Sequence, residues 1–477
     1  MLKQYINILV MVLAAGHGKR MHSTLPKVMH KLAGQPLLEY SLQLITTLSS
    51  SFTQVQNYKV RFKNMVVVSS ELLQNQEFQI LLQKYHYCIE SMNELQTVLQ
   101  KHRGGTGHAV LCALKAHSEH KNNTLQTYSV EDTDYVLVLY GDAPLLPIET
   151  IEEMIRKILS GRNRTAAVNI GFIADDPTGY GRMCTNAKND ITSIIEEQDT
   201  IDTEKQINLC NAGIMLSHYQ LLYDFLKLKH NEKENFISYE LRLTDFITHI
   251  TKMGYQCKYV LVEQQKCLGV NTRSQLAELE NVMQNFLRNK MLNNGVTMIA
   301  PETIFLSCDT VIECDVIIYP YVCILPRVKI GACSNIFSFS HIAGVVIGEN
   351  VSIGPFARIR PDSNIADQCH IGNFVEVKNA NLSHSVKASH LSYIGDANIE
   401  ENSNIGAGTV FCNFDGKNKH SSTVSANSFI GANSTIISPI SIGKNSKIAA
   451  GSIITDNVPD DNLAIARSKQ VNKNKKK

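Results

Sequence analysis

No run in this 477-residue chain approaches the ~18 consecutive apolar residues of a membrane helix, so membrane insertion is not expected. Charge of one sign is not in excess either. Forty-six basic residues stand against 44 acidic, a net charge of +2, which leaves no electrostatic footprint for a nucleic-acid partner. The 12 cysteines include no C-x-x-C pair and no regular spacing. Reduced thiols in a cytoplasmic protein are therefore expected, rather than a zinc site or a disulfide framework. A glycine is also missing where a dinucleotide loop would need one: after "AAGHGKR" the third position of G-x-G-x-x-G is Met21. A Walker loop is absent from the same stretch.

What remains at residues 9–34, "LVMVLAAGHGKRMHSTLPKVMHKLAG", is an apolar strand delivering glycines, followed by Arg20 and Lys27. Lys3 ahead of the apolar run and Ala14-Ala15-Gly16 behind it also fit a secretion signal. Asn7 within the run, and a loop that makes chemical sense directly after it, argue for a phosphate-binding turn instead.

A chain of this length calls for two or three domains. The first half alternates β-rich runs with helical patterns, at 8–13, 65–68, 135–139, 166–170, 209–215 and 259–262. Such alternation predicts a mostly parallel, doubly wound sheet with ligands at the carboxyl ends of its strands. Between Ser274 and Asn294, Leu276, Leu279, Val282, Met283, Phe286, Leu287 and Met291 recur at helical spacing, and Gly295 supplies a stop. One amphipathic linker helix is predicted there.

Beyond it the period becomes six. Isoleucine occupies 312, 318, 324, 330, 336 and 342, then 347, 353, 359, 365 and 371 after a one-residue slip; Val424 opens a third series ending at Ile454. Neither a helix nor an ordinary strand repeats at six, whereas a triangular coil with three six-residue sides does. The glycines that often follow the inward residue suit tight corners. Residues 412–420 break the rhythm and predict a protruding loop.

The motifs "GGTGHA" (104–109), "YGDAPLL" (140–146), "DDPTGYGRM" (175–183), "NAGI" (211–214), "GVNTR" (269–273), "GPFARIRP" (354–361), "GNFVEVKNA" (372–380), "KASHLSYIGDA" (387–397) and "NIGAGTVFCNFDGKNK" (404–419), with the opening stretch, cover almost the whole chain in one order. The chain resembles the bacterial family that joins glucosamine-1-phosphate N-acetyltransferase to N-acetylglucosamine-1-phosphate uridylyltransferase. The resemblance implies an α/β Rossmann-like nucleotidyltransferase domain at 1–273, a linker helix at 274–296, and an all-β left-handed parallel β-helix of hexapeptide repeats at 297–477. It also implies a homotrimer, with acetyl-CoA and UTP as co-substrates and Mg²⁺ as cofactor.

For the uridylyl site it implies that Leu13, Ala14, Ala15 and Gly16 hold the nucleotide while Arg20 and Lys27 hold phosphates. Gln100, Gly105 and Thr106 would read uracil, Gly181, Glu196 and Asn211 the sugar. Asp142 and Asn271 are its magnesium ligands, hard oxygen donors of the kind that ion prefers. For the acetyl site it implies His390 as general base, a residue type able to take a proton near neutral pH; Glu376 is a candidate to orient it or to stabilise its charge. Arg360, Lys378 and Lys419 match phosphate positions, and Tyr393, Asn404 and Asn413 sugar positions. Ala407, Ala450 and Arg467 match positions along the coenzyme.

Four residues depart from the pattern. Arg103 stands at an expected glutamine, Gln198 at an expected lysine, Phe414 at a tyrosine and Ala432 at a serine. The hexad series before Ile347 is also about two sides shorter than the family pattern. Two rivals stay open at this point: a single-activity nucleotidyltransferase with a merely structural solenoid, and a non-catalytic nucleotide-binding regulator.

Overall fold

The computed structural model describes residues 5–52, 54–55, 58–89, 95–102, 104–119, 133–161, 164–231, 240–267 and 269–473. Arg103 lies outside them. The chain divides into two compact units, Met1–Leu279 and Glu280–Lys477.

The first unit is built on β1 (Tyr5–Leu13), which pairs in parallel with β2 (Tyr58–Val68) and β4 (Tyr135–Tyr140). Strand β3 (Leu95–Leu99) extends the β2 side, also in parallel. Strand β1 is buried on both faces. Ile6, Ile8, Val10 and Val12 enter one apolar cluster while Leu9, Met11 and Leu13 enter another, which is why the strand reads as an unbroken apolar run. Leu38, Leu42 and Ile45 of the helix Leu37–Ser51 fill the first cluster; Val110, Ala113 and Leu114 of the helix Thr106–Glu119 fill the second.

Part of the sheet breaks the expected parallel order. Strand β8 (Leu209–His218) runs antiparallel to both β4 and β5 (Thr165–Ile173), and β9 (Gln256–Leu261) closes that side parallel to β5. The reversal has a use. It brings the beginning of β8, with Asn211, to the sheet edge where β1 and β4 end. A short hairpin, β6 (Arg182–Thr185) and β7 (Ile191–Ile195), hangs from Cys210 of β8 and was not legible from periodicity.

In the second unit, helix Arg273–Asn293 contributes its later turns. Leu287 and Met291 are buried as the spacing predicts, but Phe286 is 63% exposed. Polar side chains take over on the buried face. Gln284 both donates to the Leu306 carbonyl (2.7 Å) and accepts from its N–H (2.9 Å), satisfying the open edge of the first coil. Arg288 donates to the carbonyls of Pro301, Glu302 and Ile304.

Among the described residues, the solenoid forms three parallel sheets of ten, nine and eight strands, each strand pairing with the one a full coil later. It is a left-handed parallel β-helix. Ile318, Ile336, Ile353 and Ile371 stand in register and buried, as do Ile324, Ile342 and Ile359. The slip before Ile347 falls at Gly344, in the left-handed region at φ +54°.

The glycines serve a different purpose from the expected one. Most corners in the left-handed region carry residues other than glycine, Asn and Asp most often, with Tyr321, Phe339, Phe356 and Phe374 among the rest. Glycine is needed where coils touch: a Cβ at Gly372 would stand 1.8 Å from the Ser389 carbonyl oxygen, and one at Gly431 2.4 Å from the Ala450 nitrogen. Residues 413–421 leave the coil between Val410–Cys412 and Ser422–Val424 as a loop that is exposed from Phe414 to Lys419, with Asn413 buried at its base. A bridge between Phe414 and Lys419 ties it, and Asp415 accepts from the N–H groups of Lys417 and Asn418.

Candidate functional sites

In the first unit the ends of β1, β3 and β4 and the beginning of β8 surround a cleft of about 1310 Å³. Beyond β1 the chain opens into Ala14–Gly18. Gly18 is left-handed at φ +60°, and a Cβ there would stand 2.6 Å from Cβ of Lys27, so only glycine lets Lys27 cross beneath the turn. The Lys27 ammonium reaches two oxygens, hydrogen-bonding Asp142 Oδ2 and, at 3.1 Å, Asn271 Oδ1. Backbone contacts join those residues' segments, since Val270 N–H donates to the Asp142 carbonyl at 2.9 Å. The two hard oxygen donors thus already converge on one cation.

Among the described residues, no group of three or more His, Cys, Asp or Glu side chains could hold a metal. Asp142 and Asn271 nevertheless fit Mg²⁺, which is commonly held by one or two protein oxygens, with substrate phosphates and water completing its shell.

Gln100 lies on the side wall, donating from Nε2 to the Gly105 carbonyl (3.2 Å) and meeting Nδ1 of His108 (3.1 Å). Burial lowers the His108 pKa, helped by His230, which favours the neutral ring that can accept from this amide. On the opposite wall Glu196 accepts from Thr244 Oγ1 at 2.8 Å, and Asn211 N–H donates to the Gly181 carbonyl at 2.8 Å. Tyr140 stands between the walls. Burial raises its hydroxyl pKa well above the ordinary value, with the Asp142 and Glu196 charges adding to the shift, so it is a neutral donor there.

The second unit carries a different constellation. Asn373, His390, Ala407, Ala432 and Ala450 occupy the same corner position on successive coils, each two residues past an inward side chain. Backbone bonds run down this column, from Asn433 N–H to the Ala407 carbonyl (2.7 Å) and from Gly451 N–H to that of Ala432 (2.8 Å). Arg467 donates to the Ala450 carbonyl at 2.6 Å. At the column's head His390 Nδ1 lies 2.6 Å from Asn373 Oδ1. A carbonyl oxygen can only accept, so Nδ1 carries a proton, and in the neutral form of the ring the lone pair lies on Nε2.

Beside the column, Arg360 and Lys378 stand on adjacent coils. Lys378 is held 3.3 Å from Asp396, which also accepts from Asn379 at 2.5 Å and from Asn413. Burial works to raise the Asp396 pKa, but these hydrogen bonds outweigh it and the carboxyl lies below its ordinary value. Lys378 presses on Lys419 from the loop. Their contact and the Lys378 charge, with Arg360 contributing, lower the Lys419 pKa. Three cations so crowded form a site for an anion.

Comparison with known proteins fits this division. Residues 10–200 match the MobA-like NTP transferase domain, residues 344–379 the bacterial transferase hexapeptide of six repeats, and residues 423–456 the hexapeptide repeat of succinyl-transferase. The bifunctional protein GlmU of Zymomonas mobilis is 40% identical over 97% of this chain and 95% of its own length. The chain belongs to the GlmU family.

Those of Wolbachia pipientis and Anaplasma marginale are each 36% identical, over 97% of this chain and 97% and 98% of their own lengths. A GlmU protein carries both a uridylyltransferase and an acetyltransferase, so this chain acts on both UTP and acetyl-CoA. In this GlmU chain, every residue expected at the uridylyl site lines the one cleft except Arg20. Arg20 is exposed on the turn Lys19–Met21, and its neighbour Lys19 faces the cleft instead. Gln198 lines the cleft as well.

Glu376 does not orient His390. It pairs with Arg360 at 3.0 Å, and Asn373, unnoticed in the sequence, takes the role because one full coil places it in register with His390. Tyr393 lies beside Glu376 with its hydroxyl 3.5 Å from Asn413, and Asn404 follows on the next coil. Phe414 is 59% exposed on the loop. Lys19, Tyr140, Thr244 and Arg242 also line the cleft without having been singled out. Lys19 and Tyr140 sat in recognisable motifs, whereas Arg242 and Thr244 did not.

Proposed function

We propose that residues 1–273 perform the uridylyl transfer, that residues 274–296 link the two activities, and that residues 297–477 perform the acetyl transfer, which comes first. The observation that carries this reading is that the residues for each reaction gather within one unit.

In the first reaction, the amine of glucosamine-1-phosphate attacks the thioester carbonyl of acetyl-CoA, the C–S bond breaks, and the coenzyme leaves as its thiol. His390 Nε2 takes the proton from the amine. Arg360, Lys378 and Lys419 hold the substrate phosphate, and Tyr393, Asn404 and Asn413 its hydroxyls. The corner column of Ala407, Ala432 and Ala450, small enough for close approach, carries the coenzyme towards Arg467.

In the second reaction, a phosphate oxygen of N-acetylglucosamine-1-phosphate attacks the α-phosphorus of UTP and pyrophosphate leaves. The backbone N–H groups of Ala14–Gly18 and the Lys27 ammonium hold the triphosphate, Arg20 reaching it from the exposed turn beside the cleft, while Gln100, Gly105 and Thr106 read uracil. Gly181, Glu196 and Asn211 orient the sugar. Asp142 and Asn271 would hold Mg²⁺, which neutralises charge developing on the phosphates. Lys27 then shares those oxygens with the ion and turns towards phosphate.

Incubation with acetyl-CoA, glucosamine-1-phosphate, UTP and Mg²⁺ should yield UDP-N-acetylglucosamine, resolved by mass. Formation of no acetylated sugar, with uridylyl transfer intact on N-acetylglucosamine-1-phosphate, would favour the structural solenoid.

Asn373→Ala should lower acetyl transfer roughly 10- to 100-fold, the scale for losing a group that fixes a functional histidine. Asn373→Asp, which keeps the accepting oxygen, should recover most of it and alter the pH profile. An unchanged rate in Asn373→Ala would show that His390 needs no such partner.

A homotrimer in the cytoplasm completes the reading. Among the described residues no helix is long and apolar enough to cross a membrane. Along one solenoid corner Tyr321, Phe339, Phe356 and Phe374 stack at 4.8–5.1 Å, each about half exposed, and the row ends at a hollow shared with Asn373 and His390. An apolar row of this kind suits burial against a second copy. Phe356→Asp with Phe374→Asp should convert the three-chain mass, measured by light scattering, to that of one chain and depress acetyl transfer. A persisting trimer would place the interface elsewhere.

A further inference from the structure

Both reactants of the uridylyl step are polyanions, yet basic side chains are few in their cleft. Among the described residues lining it, the lysines and arginines are Lys19, Lys27 and Arg242. Lys19 and Lys27 both follow β1, on the nucleotide wall, and Lys27 is engaged with Asp142 and Asn271. Arg242 belongs to the opposite wall, among Glu196, Gln198 and Thr244.

Its position is well determined. Leu241 N–H donates to the Gly104 carbonyl and Gly107 N–H to that of Leu241, both at 2.8 Å, tying this segment to the turn that carries Gly105 and Thr106. Leu241 and Leu243 are buried, so residue 242 between them faces the cleft. Thr244 fastens the far end to Glu196. The guanidinium gives an N–H of Nη1 to Asp199, next in sequence to the neutral Gln198, and its planar fork has further donors.

Resting on the uridylyl reading above, we infer that Arg242 grips the phosphate of N-acetylglucosamine-1-phosphate, steadied by Asp199, and supplies the positive charge that Gln198 does not. A guanidinium matches phosphate with paired N–H bonds, so it would screen the incoming dianion from the triphosphate held on the other wall.

Steady-state kinetics of the full chain test this. Arg242→Ala should raise KM for N-acetylglucosamine-1-phosphate by roughly 10- to 100-fold, the loss expected for charge-assisted hydrogen bonds, while KM for UTP and the rate of acetyl transfer change less than about twofold. Arg242→Lys should retain most of the affinity. Adding Gln198→Lys to Arg242→Ala should recover at least a tenfold share of a loss that large, because it returns a cation to the neighbouring position. An equal rise in both KM values would instead mean a disturbed uracil turn, transmitted through Leu241. That result overturns the inference, as does failure of Gln198→Lys to restore affinity in a variant with wild-type melting temperature. If the unsubstituted protein makes no UDP-sugar, the uridylyl reading itself has failed, and that control is read before any variant.

Discussion

Asp142→Asn is expected to cut uridylyl transfer by roughly 10²- to 10³-fold, the scale for removing one preorganised charge-stabilising group, and to leave acetyl transfer unchanged. The substitution keeps the side chain's shape and the backbone carbonyl that accepts from Val270. What it removes is the negative charge facing Lys27, in a side chain only 11% exposed. Lys27 is then left beside two neutral amides, and a magnesium ion loses the anionic member of its oxygen pair. The acetyl constellation from Arg360 to Arg467 belongs to the other unit. Two separate assays on one preparation check the outcome. Equal loss of both activities in a folded variant would sink the assignment of one reaction to each unit.

His390→Ala should lower acetyl transfer by roughly 10²- to 10⁴-fold, the usual range for removing a general base. The fold should tolerate it, since alanine already occupies the same corner at 407, 432 and 450 on later coils, and the inward Ala388 is untouched. Without the imidazole, attack must wait for amine deprotonated by solvent, so raising the pH should restore part of the rate. Uridylylation of supplied N-acetylglucosamine-1-phosphate should not change. If acetyl transfer falls only in proportion to trimer lost, His390 is structural. A wild-type protein lacking acetyl transfer would direct attention to Ala432 and Phe414; Ala432→Ser with Phe414→Tyr should then recover activity if the missing hydroxyls are the cause.

Local sequence pattern was enough for whatever depends on near neighbours. An isoleucine every six residues admits one architecture, because only a three-sided coil returns the same side chain to its interior at that interval. An unbroken apolar run ending in glycines marks a buried strand opening into a phosphate-binding turn, and Gly18 proves indispensable beneath Lys27. The tertiary structure alone decided what depends on pairing distant segments. Lys27 meets Asn271 across 244 positions, and Arg242 meets Asp199 across 43. The reversed strand that carries Asn211 into the cleft has the same apolar pattern as a parallel one, because burial on both faces leaves no mark of direction. Asn373 rather than Glu376 meets His390 because coils stack in register at 17 residues here, and only that stacking tells which side chain lies above the ring. Periodicity reports which way a side chain faces; its partner is chosen by the packing of chain segments that no local pattern can see.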